Sequence, residues 1–444
     1  MTDSFSMPTE NPTKNPDELP TEPFAVPAGR RARGRLRVPS SKSVTHRYLN
    51  LALLSGAPVV IERPLLAEDT RLFFAALGRC GFRVEEAEDE VSLTPGERPA
   101  GEVEIFCGNA GTMLRFLVAT LAVVPGRWRL DGVPRLRERP VGPLVDALRS
   151  LGARVEYLAA EGYVPLRIEG GTLRGGVATL DAGESSQYLS ALLMAALRAP
   201  SEVVIEVPTL TSRPYVDVTI AAAAAFDGHI ERAGPRAYRI RPSALRGGRA
   251  RVEGDYSAAC YPAAAAALTG GEVILDGLLP DSRQGDREFM DLLAAMGAEV
   301  FWKGDDLRIR GGGELQGIKA DLSGMPDQVP TLAALAPFAH GETLIHNVAH
   351  LRIKESDRLE AMAVGLKALG ADAREGRDSL WLPGLWAGAE PSSGTVHIDP
   401  RGDHRIAMSF ALVGLRRPGV VVDHPEVVAK SYPGFWRDFL KIVG

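Results

Sequence analysis

Ser185-Ser186-Gln187-Tyr188-Leu189-Ser190-Ala191-Leu192-Leu193, followed a few residues later by Val203-Val204-Ile205, is the unit from which the whole chain can be read. A polar opening leads into an apolar run that reads as a buried helix, and the β-branched triplet after it reads as a strand. Five further copies carry the openings Ser43-Val44-Thr45-His46-Arg47, Asn109-Ala110-Gly111-Thr112, Asp255-Tyr256-Ser257, Asp327-Gln328-Val329 and Asp403-His404-Arg405. Their strands are Val59-Val60-Ile61, Trp128-Arg129-Leu130, Val273-Ile274-Leu275, Thr343-Leu344-Ile345 and Val420-Val421-Val422. A second helix then stops at Cys80-Gly81-Phe82, Leu151-Gly152-Ala153, Met296-Gly297-Ala298 and Leu369-Gly370-Ala371, where Gly accepts the left-handed backbone that ends a helix. The copy ending near Asp227-Gly228 is shifted, and the last copy is cut short. A period of roughly 70 residues exceeds the solenoid range of about 20–50, so each copy is expected to be a small α/β unit.

Composition fits a large α/β protein. The 444 residues, 45% of them hydrophobic, predict about two domains. No apolar run approaches the ~20 residues of a membrane helix, so no membrane span is expected. Residues 1–20 are rich in Pro, Thr, Asn and Glu and are expected to be a disordered tail, with neither a signal core nor the Arg-rich character of a transit peptide. Cys80, Cys107 and Cys260 are far apart and fit no metal spacing, which predicts buried thiols in a reducing cytoplasm. A net charge of −5 argues against nucleic acid as a partner, so any working positive charge must be local.

It is local. Lys42, Arg47, Arg115 and Arg405 fall in helix openings, whereas Arg139, Lys354, Arg358 and Lys430 follow strands in mid-unit. A helix N-terminus carries unpaired N–H groups and about half a positive charge, so cations beside several of them predict a ligand with phosphates or carboxylates. Each feature also has a plainer reading. Ser, Thr, Asn and Asp at helix starts are commonly caps worth ~1 kcal/mol. Arg135-Leu136-Arg137-Glu138-Arg139-Pro140 also fits a solvated face, and Lys354-Glu355-Ser356-Asp357-Arg358 an ordinary helix start. The functional reading rests on the whole set, in order, at matching places in the repeat.

That set resembles the enolpyruvyl transferases from about Val38 to the C-terminus. The stretches that carry the likeness begin with Pro39-Ser40-Ser41-Lys42-Ser43-Val44-Thr45-His46-Arg47 and Asn109-Ala110-Gly111-Thr112-Met113-Leu114-Arg115. Arg137-Glu138-Arg139-Pro140, Ser185-Ser186-Gln187, Ser212-Arg213-Pro214-Tyr215 and Pro326-Asp327 follow, then Lys354-Glu355-Ser356-Asp357-Arg358, Asp403-His404-Arg405 and Ala429-Lys430. The resemblance implies a two-domain inside-out α/β barrel of six repeated units, three per domain, with helices inside and sheets outside. One domain would span 41–252 and the other 21–40 with 253–444, the chain crossing near Ser40 and Glu253 and the domains closing on a hinge.

The branch of the family that the motifs favour implies transfer of the enolpyruvyl group of phosphoenolpyruvate to the 5-hydroxyl of shikimate 3-phosphate, releasing phosphate. It implies no metal or organic cofactor, a cytoplasmic monomer, and a place in aromatic amino-acid biosynthesis. Asp327 would be the base at the hydroxyl and Glu355 the acid at C3, with surroundings that push their pKa values apart. Lys42 would offset developing charge between the substrates. Lys42, Ser43, Arg47, Ser185, Ser186, Gln187, Ser212, Tyr215, Asp327 and Lys354 would bind shikimate 3-phosphate. Lys42, Asn109, Gly111, Arg139, Gln187, Arg358, Arg405 and Lys430 would bind phosphoenolpyruvate, and glyphosate would compete there. Ser40, Phe116 and His350 depart from residues common in the family. The alternatives are the sister branch acting on UDP-N-acetylglucosamine, which uses a loop Cys as its acid, and a noncatalytic anion-binding module in which Asp327 and Glu355 are dispensable.

Overall fold

Helices that are apolar on nearly every face have no side to show water, and here they form the interior. The computed structural model describes residues 19–386 and 394–444. The inner helices are α1 (Lys42–Ser55), α2 (Gly111–Val123), α3 (Ser186–Ala196), α4 (Tyr256–Thr269), α5 (Val329–Leu335) and α6 (His404–Arg416). In α2, Met113, Leu114, Phe116, Leu117, Val118 and Leu121 are all buried, and in α4 every residue but Ser257 is buried. The Ala-rich α4 sequence suits that place, because short side chains let neighbouring backbones approach.

Among the described residues six sheets form the outside, five of four strands and one of three. Each expected strand is a central one with a parallel neighbour on one side and an antiparallel neighbour on the other. Val203–Glu206, for example, pairs parallel with Gly176–Thr179 and antiparallel with Ala237–Ile240. The pleat divides each sheet into two faces. In Arg127–Asp131, Trp128 and Leu130 are buried, while Arg129 reaches outward to Glu104 at 2.6 Å. Such exposed pairs contribute little stability; the inner face supplies the hydrophobic drive.

The second helices stop as their sequence predicts. Gly81, Gly152, Gly297 and Gly370 all have positive φ, and in the shifted copy Asp227 takes that role at φ 60°. The copy that the sequence leaves short is completed from the other end of the chain. Phe24–Ala25 pairs antiparallel with Val421 and Val422, and Val396–Ile398 pairs parallel with the same strand.

Buried side chains fall into two cores. One runs from Val44 to Val252, and the other joins Phe24–Val38 to Tyr256–Val443. Each is closed by a strand from a distance: Gly248–Arg251 pairs parallel with Val59–Glu62, and Arg33–Arg37 with Glu272–Asp276. Between the cores two segments run side by side, with a Ser40–Gly254 bridge and hydrogen bonds of 2.8 Å from Ser41 N to Glu253 O and from Asp255 N to Pro39 O.

Of the expected tail over 1–20, residues 1–18 lie outside the described residues. All three cysteines are free and buried, and burial pushes the Cys80 thiol up to about 12. Among the described residues no helix is long and apolar enough to cross a membrane.

Candidate active site

Three of the six openings cap their helices, and a fourth lies inside its helix and is capped by Ser41 just ahead of it. Ser41 Oγ accepts from Val44 N, Ser185 Oγ from Gln187 N, Asp255 Oδ1 from Ala258 N and Asp403 Oδ1 from Arg405 N. The other two differ. Helix α2 follows Ala110 with no side-chain cap, and Asp327 lies in the 3-10 turn Pro326–Gln328 before α5, where it caps nothing. Asn109 and Asp327 are therefore free for other work.

All six openings face one cleft between the two cores. From the first core, Lys42, Ser43, Arg47, Arg139, Ser186, Gln187, Ser212 and Tyr215 line it, joined by Thr112. From the second come Asp327, Lys354, Glu355, Arg358 and Arg405, joined by Asp255, Ser257 and His404. Four expected residues sit just behind this lining. Ser185 caps α3, and the Asn109 carbonyl accepts from Arg139 and Lys430, both at 3.1 Å. Gly111 lies beneath Arg139, where a Cβ would stand 2.5 Å from Arg139 Nη2.

Arg47 is the most telling residue of the first wall. Its guanidinium is buried, yet it donates only to neutral oxygens: Thr219 Oγ1, Ser43 O and Tyr215 O, each at 2.8 Å. Among the described residues no carboxylate pairs with it. Burial pulls its pKa down to about 10, and the Phe116 ring lies 5.4 Å from its Cζ. A buried cation with no counter-ion is unfavourable until an anion arrives. Nearby, Arg115 donates to Gln187 Oε1 at 2.7 Å, and Gln187 donates to Thr112 Oγ1 at 2.9 Å, which fixes the amide facing the cleft. Ser212 holds φ 50° and donates to Ser323 O at 2.9 Å, a strained backbone secured across the cleft.

The second wall is a network of paired ions. Arg358, 1% exposed, reaches Asp327 at 2.8 Å, Glu355 at 2.9 Å and fully buried Asp403 at 2.8 Å. Arg405 holds the other Asp327 oxygen at 2.6 Å. Arg139 from the first wall stands 3.7 Å from Glu355, and Arg135 donates to the carbonyls of Lys354 and Glu355 at 3.0 and 3.2 Å. Asp69 accepts from Lys430 at 2.7 Å and from Lys42 at 3.4 Å.

The expectation that Asp327 and Glu355 have pKa values driven apart is corrected by this network. Burial alone would raise both, but Arg405 and Arg358 hold Asp327 far below the carboxylate range, and Arg139 and Arg358 do the same to Glu355. One guanidinium serves both, so both shift the same way. Behind them Asp286 is pushed the other way, up to about 6, by burial and by the charge of Asp327. Burial also brings Lys354 down to about 8. His350 is buried with Nε2 lacking a hydrogen bond and does not line the cleft; burial and Lys354 take it down to about 3. Among the described residues, no group of three His, Cys, Asp or Glu is placed to hold a metal ion.

Comparison with known proteins now decides the family. The family model for EPSP synthase (3-phosphoshikimate 1-carboxyvinyltransferase) matches residues 26–439. The chain belongs to the EPSP synthase family. Among its relatives in that family, the 3-phosphoshikimate 1-carboxyvinyltransferase of Syntrophobacter fumaroxidans is 45% identical over 92% of this chain and 97% of its own length. That of Methanoculleus marisnigri is also 45% identical, over 90% and 94%. In three dimensions the chain resembles EPSP synthase from Acinetobacter baumannii, with a TM-score of 0.77 and 29% identity over 95% of this chain and 98% of that one. It shares its fold with the enolpyruvyl transferase NikO from Streptomyces tendae, TM-score 0.75 at 20% identity over 95% and 98%.

Residues that sequence reasoning did not assign to the site are Thr112, Asp255, Ser257 and His404 in the lining, and Asp69, Asp286 and Asp403 behind it. The first four sit inside the openings themselves and were readable there. Asp69, in Glu68-Asp69-Thr70, looks like an ordinary acidic first turn, and only its distance to Lys42 and Lys430 reveals it.

Proposed function

We propose that this protein transfers the enolpyruvyl group of phosphoenolpyruvate to the 5-hydroxyl of shikimate 3-phosphate. The single observation that carries the reading is the pair Asp327 and Glu355, tied by Arg358 into one wall of a cleft whose other wall holds the unpaired Arg47. As the hydroxyl oxygen bonds to C2 of phosphoenolpyruvate, its proton goes to Asp327 while C3 gains one from Glu355. The tetrahedral adduct then loses phosphate, which carries off the proton held by Asp327, and a C3 proton, which returns to Glu355. Arg139 and Arg358 hold Glu355 ionised, so it must take up a proton when anionic ligands draw them away from it; a neighbouring anion and loss of paired cations both raise a carboxyl.

Arg47, Ser43, Ser185, Ser186, Gln187, Ser212, Tyr215 and Lys354 hold shikimate 3-phosphate, with the guanidinium matched to phosphate. Lys42, Asn109, Gly111, Arg139, Gln187, Arg358, Arg405 and Lys430 hold phosphoenolpyruvate. Lys42 lies between the two and offsets charge in the adduct. The two cores support a division into domains 41–252 and 21–40 with 253–444, closing about the Ser40–Gly254 crossing to exclude water. We place the protein in the cytoplasm as a monomer, a reading supported by its three free buried thiols in the first respect and by family resemblance in the second.

The test is phosphate release by the full chain with phosphoenolpyruvate and either shikimate 3-phosphate or UDP-N-acetylglucosamine, without added metal. Release with the shikimate ester alone supports the assignment. Release with the sugar nucleotide alone moves the chain to the sister activity, and silence with both leaves an anion-binding module.

A further inference from the structure

Asp286 lies in the 3-10 turn Gly285–Glu288, 2% exposed, behind Asp327. Its Oδ2 accepts from Ser257 Oγ at 2.7 Å and lies 3.2 Å from the Tyr215 hydroxyl, and its Oδ1 accepts from Gln328 Nε2 at 3.1 Å. The same Tyr215 hydroxyl lies 3.3 Å from Asp327 Oδ2. A phenol has one proton and donates to one carboxylate at a time. With both carboxylates ionised, one of them would face a lone pair in a buried site, an arrangement that costs free energy. The contacts close if Asp286 keeps a proton, since its O–H then donates to the phenol oxygen and the phenol donates to Asp327.

The surroundings agree with that count. The charged groups facing Asp286 are Asp327 and, from α6, Arg405; the titratable neutral ones are Tyr215 and, from α4, Cys260. Arg287 on the same turn points away, donating to Pro280 O. Burial and Asp327 together outweigh Arg405 and raise the Asp286 carboxyl, while Tyr215 is itself pushed well above its ordinary value and does not give up its proton.

We infer that Asp286 is a positioning residue for Asp327, acting through the Tyr215 hydroxyl: when protonated it commits that hydroxyl to Asp327, and when ionised it competes for it. The inference deepens the proposed function, because it rests on Asp327 receiving the proton of the substrate hydroxyl. It predicts that turnover responds to the ionisation of a group that does not line the substrate cleft.

Two measurements test it. In ligand-free full-length protein labelled with 13C at aspartate carboxyls, NMR should show one carboxyl titrating near pH 6. That signal should be absent in Asp286→Asn and fall by about one pH unit in Asp327→Asn, where the neighbouring charge is gone. In turnover with saturating phosphoenolpyruvate and shikimate 3-phosphate, kcat of the unaltered protein should show an inflection as Asp286 titrates in the substrate complex. Asp286→Asn and Tyr215→Phe should each lose that inflection, the latter while keeping the NMR titration. Circular dichroism checks that each variant folds, and the tyrosine variant serves if the aspartate one does not. A titration near pH 6 that survives Asp286→Asn, one that ignores Asp327→Asn, or a kinetic inflection that survives both variants would overturn the inference. Absence of turnover with the NMR result intact would instead refute the role given to Asp327.

Discussion

The two walls of the cleft come from units of the same design and have different chemistry. In the lining, the first wall presents hydroxyls, an amide and the cations Lys42, Arg47 and Arg139, with no carboxylate. The second presents Asp255, Asp327 and Glu355 threaded among Lys354, Arg358 and Arg405. An unpaired buried cation stores affinity for an anion that has not yet come. A paired one holds its carboxylate ionised in a place that would otherwise protonate it. The repeated fold thus delivers helix openings to one point, and the residues behind each opening decide between anchoring and proton transfer.

The contrast can be broken most severely at Arg358. Arg358→Ala leaves buried Asp403 without its guanidinium and takes one cationic partner each from Asp327 and Glu355, which keep Arg405 and Arg139, and should lower the unfolding free energy by about 3–5 kcal/mol in urea titrations, with turnover lost. An effect on stability no larger than that of Arg47→Ala would show that the walls do not differ in this way. Asp327→Ala should next reduce kcat by about 10²–10⁴-fold while calorimetry still detects shikimate 3-phosphate binding. Arg47→Ala sharpens the other side: it should weaken shikimate 3-phosphate by about 1.5–3 kcal/mol, roughly 10–100-fold in Kd, with little change in the stability of the ligand-free protein.

Asp286 tests the second wall through pH. Its folded pKa is raised, so the stability its protonated form contributes is present below the unfolded value of about 3.9 and is lost as pH rises through about 6. Permanently neutral Asp286→Asn should therefore be more stable than the unaltered protein above pH 6, by about 1–3 kcal/mol in thermal or urea unfolding, and lose the advantage in acid. The smallest effect is expected at Gly111→Ala. The new methyl must displace Arg139, which should raise KM for phosphoenolpyruvate about tenfold and leave shikimate 3-phosphate binding alone.

The central strands and the glycine stops were legible because they depend on local chemistry: β-branched runs and a left-handed backbone position. The strands that complete each sheet were not. Gly248–Arg251 and Arg33–Arg37 are short, polar and mostly exposed, and nothing local in them says that their partners lie far along the chain. The site divides in the same way. Residues inside the openings could be read from repetition, whereas Asp69 and Asp286 acquire meaning only from side chains brought beside them by the fold. The pKa expectation for Asp327 and Glu355 failed for a related reason: sequence places Arg358 next to Glu355 but does not show that its other edge reaches Asp327.

One pairing also sets an order of events during synthesis. Phe24 and Ala25 leave the ribosome long before their strand partners, Val422 and Val421. The span from Val44 to Val252 holds a core of its own, and its first sheet is closed by Gly248–Arg251, so that part can settle while translation continues. The Phe24–Ala25 strand must wait, unpartnered, until Val421 and Val422 have been made, long after Arg33–Arg37 can meet Glu272–Asp276. That strand is made early and seated late, and termination before Val421 would leave it loose.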